Sequence, residues 1–128
     1  MKILIADDHD LLRDTLVMFL ETQGDIQTTC AKDLPEAVSA LQNDASYDLV
    51  LLDFNMPGMN GLDGLEHMLR TYPGVKVALM SGVATRAIAE KALAQGACGF
   101  LPKTLTAKSL VNAVKFMAMG EQYAPLEF

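Results

Sequence analysis

The chain has 128 residues, 51% of them apolar and 20% charged, with a formal net charge of −6. That length supports one domain with a core of its own, and no apolar run approaches the roughly 20 residues a membrane helix needs. The acidic balance argues against direct nucleic-acid binding by this segment, because phosphate contacts need clustered Lys and Arg. The N-terminus reaches Asp7 too soon to supply a signal-peptide core, so a cytoplasmic protein is expected. Cys30 and Cys98 have no ligand-spaced partners and read as buried small apolar residues.

A first strand is expected over Lys2–Ala6, followed by a helix carrying Leu12, Leu16, Phe19 and Leu20 and closed by Gly24. Residues 26–31 alternate in polarity, which suits an edge strand. Asp33 then reads as an N-cap, with Pro35 in the first turn and Glu36 at N3, before the apolar face Ala37, Val38 and Leu41. Residues 48–53 form a near-continuous apolar run, the pattern of a strand covered on both faces. A turn-rich loop, Asn55-Met56-Pro57-Gly58-Met59-Asn60-Gly61, leads to a helix marked by Leu62, Leu65, Met68 and Leu69. A fourth strand over 75–80, an alanine-rich helix over 84–95 and a short strand over 98–101 follow. Thr106 caps a last helix with the stripe Leu110, Val111, Val114 and Met117, closed by Gly120. Met18, Met68 and Met80 read as core gap-fillers. Alternating strands and helices imply right-handed βαβ units around a parallel sheet.

The strand ends carry the chemistry. The first strand runs into Asp7 and Asp8, the third into Asp53, the fourth into Ser81, and the fifth reaches Lys103 across Pro102. Taken singly, each is an ordinary cap, turn or surface residue. Jointly, all lie at carboxyl ends of parallel strands, where open α/β sheets bind ligands. Carboxylates gathered in one crevice repel and must protonate, splay apart or recruit a cation, and an all-oxygen set with room for water and phosphate suits Mg²⁺. One carboxylate can then attack phosphorus to give an acyl phosphate. Lys103 is suited to neutralise a phosphate oxygen and Ser81 to donate to another, while Gly82 leaves space for the group. His9 reads as a solvated neighbour of a helix cap.

These residues sit in motifs that resemble the receiver domain of two-component response regulators across essentially the whole chain. Ile3-Leu4-Ile5-Ala6-Asp7-Asp8 resembles the acidic pair after the first strand. Asp53-Phe54-Asn55-Met56-Pro57-Gly58-Met59-Asn60-Gly61 resembles the D-x-x-M-P-x-x-x-G signature around the phosphoacceptor. Ser81-Gly82 matches the hydroxyl residue with its small neighbour, and Gly99-Phe100-Leu101-Pro102-Lys103 resembles the fifth-strand signature. The last of these, with Ala118-Met119-Gly120-Glu121-Gln122-Tyr123, is similar to regulators of the NarL/FixJ (LuxR) type. The resemblance implies a flavodoxin-like, doubly wound α/β sandwich, (βα)5, with strand order 2-1-3-4-5 and helices on both faces. It implies that Asp53 accepts phosphate from a sensor histidine kinase, that Asp8 and Asp53 hold Mg²⁺ (with Mn²⁺ as a substitute), and that Asp7 assists directly or through water. The backbone carbonyl of Asn55 completes the expected ligands, Lys103 and Ser81 bind phosphoryl oxygens, and Ser81 with Phe100 forms the switch. Residues 1–122 are expected to be the receiver and 123–128 a tail, the start of a linker to a helix-turn-helix output domain; the chain is then a fragment or a free-standing receiver. Transcription regulation, contact with DNA only through that output domain, no membrane partner and a homodimer on phosphorylation follow by the same implication. Either the fourth helix, fifth strand and fifth helix or the first and fifth helices would form the dimer. Two departures stand out: Thr104, not proline, follows Lys103, and Phe100 lacks a phenol hydroxyl.

Other readings compete. Asp8-His9-Asp10 is formally the D-x-D of a haloacid-dehalogenase-like phosphatase, but Ser81-Gly82-Val83-Ala84-Thr85 supplies none of the later acids that family needs. A flavodoxin-like flavin binder would cradle a phosphate in its first loop, which Asp7-Asp8-His9-Asp10 would repel without a metal. A pseudo-receiver that switches only through partners is a third.

Overall fold

The computed structural model describes residues 1–82 and 85–124. Five strands and five helices alternate: β1 (Lys2–Ala6), α1 (Asp10–Glu21), β2 (Gln27–Ala31), α2 (Leu34–Asn43), β3 (Leu49–Asp53), α3 (Asp63–Thr71), β4 (Val77–Ser81), α4 (Arg86–Gln95), β5 (Gly99–Pro102) and α5 (Ala107–Ala118). The strands form one parallel sheet in the order β2-β1-β3-β4-β5, as expected for the doubly wound (βα)5 class.

Two apolar layers follow from the period of two along each strand. Leu4, Val50, Leu52, Val77, Leu79 and Phe100 pack on one face against residues of α2, α3 and α4. Ile3, Ile5, Leu49, Leu51, Ala78, Met80 and Leu101 pack on the other against α1 and α5. β3 and β4 are buried at every position, which is why they read as continuous apolar runs. The edge position of β2 matches its mixed composition.

Helix starts obey the local signals. Asp33 accepts from the Glu36 N–H at 2.8 Å, while the Glu36 carboxylate reaches back to the Lys32 N–H at 2.9 Å. Thr85 and Thr106 cap α4 and α5 through the N–H groups of Ile88 and Ser109. The expected start of the fourth helix at Ala84 and the tail at 125–128 lie outside the described residues.

Two buried assignments are corrected. Met18 is 57% exposed; it lies two residues from both Leu16 and Leu20, hence about 200° around the helix from the face they bury. Cys30 is exposed, because its edge strand carries it out to the polar flank of α1, near Arg13, Asp14 and Glu21. Cys98 is half-buried, and burial pushes its thiol up to about 11. The turn-rich β3–α3 loop also contributes to the core, since Met56 and Met59 are buried there.

That loop is closed by a tight approach. Gly64, in the first turn of α3, donates to Met59 O at 2.7 Å, and a Cβ there would stand 2.8 Å from Met59 Cα and 2.9 Å from Met59 O. Backbone atoms cannot swing aside. Gly64→Ala is therefore expected to lower stability by about 1–3 kcal/mol in urea unfolding, despite the better helix propensity of alanine. Gly74→Ala, where an added Cβ meets nothing within 4 Å, is the matched control and should be near neutral.

The segment after α5 returns to the sheet. Tyr123 donates to Cys98 O at 2.8 Å and accepts from the Phe100 N–H at 3.2 Å, forming a parallel bridge to Gly99 on the outer edge of β5.

Candidate functional site at the carboxyl edge of the sheet

Parallel register brings the strand ends to one edge. Ala6 pairs with Leu52, Asp53 with Met80, and Ser81 with Pro102, so Asp7, Asp53, Ser81 and Lys103 occupy adjacent positions there. Backbone hydrogen bonds continue past the strands: Asp7 N–H to Ala31 O at 3.0 Å, Phe54 N–H to Met80 O at 2.8 Å, and Lys103 N–H to Ser81 O at 2.9 Å. Asp7, Asp53 and Ser81 are the buried polar residues of the described chain, each at most 1% exposed. Asp8 is exposed at the rim.

The Lys103 ammonium serves two carboxylates. Its Nζ is 2.9 Å from Asp7 Oδ2 and 3.2 Å from Asp53 Oδ2, while the stem lines an apolar cavity of about 110 Å³ bounded by Leu12, Leu16, Phe19, Leu101 and Leu105. Both oxygens are buried, and the Lys103 ammonium is the donor that faces each of them. The two acids are not equivalent. Burial works to raise the Asp7 carboxyl, but the His9 N–H, at 2.9 Å from Oδ1, and Lys103 outweigh it and hold Asp7 below the ordinary range. Burial pushes Asp53 above its ordinary value. The Asn55 N–H, at a long 3.3 Å, and Lys103 pull it down, but burial and the neighbouring charge of Asp7 prevail. Asp7 thus takes the larger share of the lysine, and Asp53 keeps the more basic oxygen.

His9 stands in the same place. Its Nδ1 lies 3.1 Å from Asp7 Oδ1, 3.4 Å from Asp8 Oδ1, 3.8 Å from Asp53 Oδ2 and 3.3 Å from Lys103 Nζ. The expected solvated cap neighbour is indeed at the N-cap of α1, with its side chain 64% exposed. Its ring, however, makes no capping bond and points at the acids. The one available signal was its adjacency to Asp8; no pattern in the chain foretold the ring's direction. Asp10 turns away, 81% exposed, to pair with Arg13 at 2.9 Å. The second acid of the D-x-D reading is therefore absent from the pocket.

One donor atom each from Asp7, Asp8, His9 and Asp53 lie within 4.8 Å of one another. A pocket that gathers three carboxylates around a single ammonium fits a small divalent cation. Ser81 and Phe100 fall on the sheet face that α4 covers, since Leu79 pairs with Phe100 and Ser81 with Pro102. The Lys103–Thr104 peptide is trans.

Comparisons with known proteins agree with this architecture. Residues 3–115 match the response regulator receiver domain family. The glycerol metabolism activator of Pseudomonas putida is 34% identical over 97% of this chain and 57% of its own length; the transcriptional regulatory protein DegU of Brevibacillus brevis is 31% identical over 95% and 52%. The chain thus spans about half the length of these curated relatives. Among solved structures, a LuxR family DNA-binding response regulator from Silicibacter pomeroyi superposes with a TM-score of 0.88 at 32% identity, covering 100% of this chain and 99% of that one. The signal receiver domain of the putative response regulator NarL from Mycobacterium tuberculosis gives 0.84 at 34% identity, covering 94% and 97%. With the family profile spanning nearly the whole sheet and every strand-end residue inside it, the chain belongs to the response regulator receiver domain family of two-component systems.

Proposed function

We propose that this domain accepts a phosphoryl group onto Asp53 from the phosphohistidine of a sensor kinase. The observation that carries it is the buried Asp53 carboxylate, raised in basicity, with Oδ2 at 3.2 Å from Lys103 and Asp7, Asp8 and His9 around it. The Asp53 oxygen attacks phosphorus; an O–P bond forms as the P–N bond breaks, and the departing imidazole nitrogen keeps the electron pair. Lys103 neutralises charge on the transferred phosphoryl oxygens, and Ser81, with its hydroxyl at the end of β4, donates a hydrogen bond to another. Asp8, Asp53 and the Asn55 carbonyl would hold the Mg²⁺ (or Mn²⁺), with Asp7 assisting directly or through water. When bound, the ion offsets the carboxylate charge and polarises the incoming group. Water later cleaves the acyl phosphate and returns the carboxylate, so the domain promotes its own charging and discharge and is not a turnover enzyme.

The added charge, about −1.5 to −2 at neutral pH, biases Ser81 and Phe100 between two arrangements. Ser81 and Phe100 share the face under α4, which supports reading that helix and β5 as the readout. Regulation of transcription, the role named for the relative DegU, is the output this reading favours, with dimerisation on phosphorylation as its route. Among the described residues no helix is long and apolar enough to cross a membrane.

Incubation with Mg²⁺ and acetyl phosphate should add about 80 Da, labile to hydroxylamine as an acyl phosphate is. Peptide mapping should place it on Asp53. An unmodified protein, or a label on another residue, rejects the proposal.

A further inference from the structure

The helix that carries Arg13 gives it no reason to be buried. The residue stands in the first turn of α1, where the aligned peptide dipoles oppose a cation. Its ion-pair partner Asp10 is 81% exposed, and a helical pair of that kind contributes little. Yet the Arg13 side chain is 15% exposed, whereas Arg70 and Arg86 stand open to solvent on their helices. Burying a guanidinium costs desolvation, and its buried Nε, with Asp14 Oδ1 at 3.9 Å, is beyond hydrogen-bond reach.

What the guanidinium holds is the loop that carries the acids. The β1–β2 ladder ends with the Asp7 N–H on Ala31 O, and Arg13 takes the Asp7 carbonyl through Nη1 at 3.0 Å. Its Nη2 reaches Asp10 Oδ1 at 2.9 Å, and its backbone N–H donates to His9 O at 2.9 Å. One residue thus grips the loop at Asp7, His9 and Asp10. Between those points lies Asp8, whose side chain is 38% exposed at the rim of the pocket. A peptide unit is planar, so an anchored Asp7 carbonyl also sets the Asp8 nitrogen and Cα. The direction in which the Asp8 carboxylate leaves the backbone follows from that plane.

We propose that Arg13 is a positioning residue for the divalent ion: its hold on the Asp7 carbonyl aims the Asp8 carboxylate into the pocket. The inference rests on the metal reading given above and deepens it. Arg13 touches neither the ion nor the phosphoryl group. Its own charge repels a nearby cation, so what it contributes by orientation and what it contributes by charge have opposite signs.

Calorimetric titration of the 128-residue protein with Mg²⁺ separates the two. Arg13→Met keeps the apolar stem and loses the fork. Its Mg²⁺ Kd should rise by about tenfold or more, as loss of a group that holds a ligand commonly does, whereas Coulomb's law alone demands a fall. Asp10→Ala, which removes the exposed partner of the fork and leaves the bond to the Asp7 carbonyl, should change Kd by less than about threefold. In EDTA, NMR order parameters of the Asp8 and His9 amides should fall in Arg13→Met and hold in Asp10→Ala. With acetyl phosphate, the Mg²⁺ concentration for half-maximal phosphorylation of Arg13→Met should rise with Kd, while the rate at saturating Mg²⁺ stays within about threefold of wild type. Arg13→Gln should move in the same direction and guards against misfolding of the methionine variant. A Kd unchanged or lowered in the Arg13 variants, or a loss in Asp10→Ala as large as theirs, overturns the role of Arg13 and leaves the oxygen site standing. Failure of the wild type to bind Mg²⁺ overturns both.

Discussion

Asp53→Asn is expected to be more stable than wild type in metal-free buffer at pH 7, because it removes the surplus carboxylate while Asp7 keeps the Lys103 ammonium as its partner, and it should lose the phosphoryl adduct entirely. The two effects share one cause. Asp53 is 1% exposed, and burial together with the adjacent Asp7 charge raises its pKa in the fold. A group whose proton is held more tightly in the native state opposes folding once it ionises. Its favourable contribution is complete below its unfolded value, near 3.8, and is lost as pH rises through the raised native value. Asn does not titrate there. Urea midpoints of variant and wild type in EDTA should therefore converge below about pH 4 and separate as pH rises to 7. Asp7 runs the other way: its lowered pKa stabilises the fold above 3.8 and that support fades as pH falls through its native value. Asp7→Asn should accordingly be less stable than Asp53→Asn at pH 7. A destabilised Asp53→Asn protein would show that the carboxylate is satisfied where it stands, against the strain inferred for it.

Strand-end chemistry was legible because each apolar run terminates abruptly in the residue that matters. Ile3 to Ala6 precede Asp7, and Leu49 to Leu52 precede Asp53; burial on both faces removes polar residues from the run, so the first acid marks its edge. The misses share a different logic, because each depends on the third dimension. Met18 sits among apolar neighbours, and only its angle from Leu16 and Leu20 exposes it. Cys30 has the composition of a core residue but lies on the lateral margin of the sheet. Met56 and Met59 are core residues inside a loop with three left-handed positions, Gly58, Asn60 and Gly61; the turn residues announce irregular backbone and say nothing of which side chains fold inward. His9 belongs with these, since the ring direction that brings its Nδ1 to the acids is encoded by no spacing rule.

Lys103→Ala is expected to cost about 3 kcal/mol in metal-free buffer, the usual result of taking one partner from a buried ion pair. The ammonium sits at 2.9 and 3.2 Å from two carboxylate oxygens that are otherwise without hydrogen bonds. Removing it leaves Asp7 and Asp53 as uncompensated like charges. Loss of the stem from the apolar cavity would also destabilise, so Lys103→Met separates the causes: it refills the space and leaves the charge missing. Both variants should be less stable than wild type, with Met recovering only the packing part. Saturating Mg²⁺ should raise the melting temperature of either variant more than that of wild type, since the ion then supplies the positive charge that the lysine no longer does. Phosphorylation should fail or lose its structural consequence even with Mg²⁺ bound, because the ammonium that neutralises the transferred oxygens is gone. If Lys103→Met matches wild type without metal, the lysine is held by its stem alone, and the electrostatic account of this pocket falls with it.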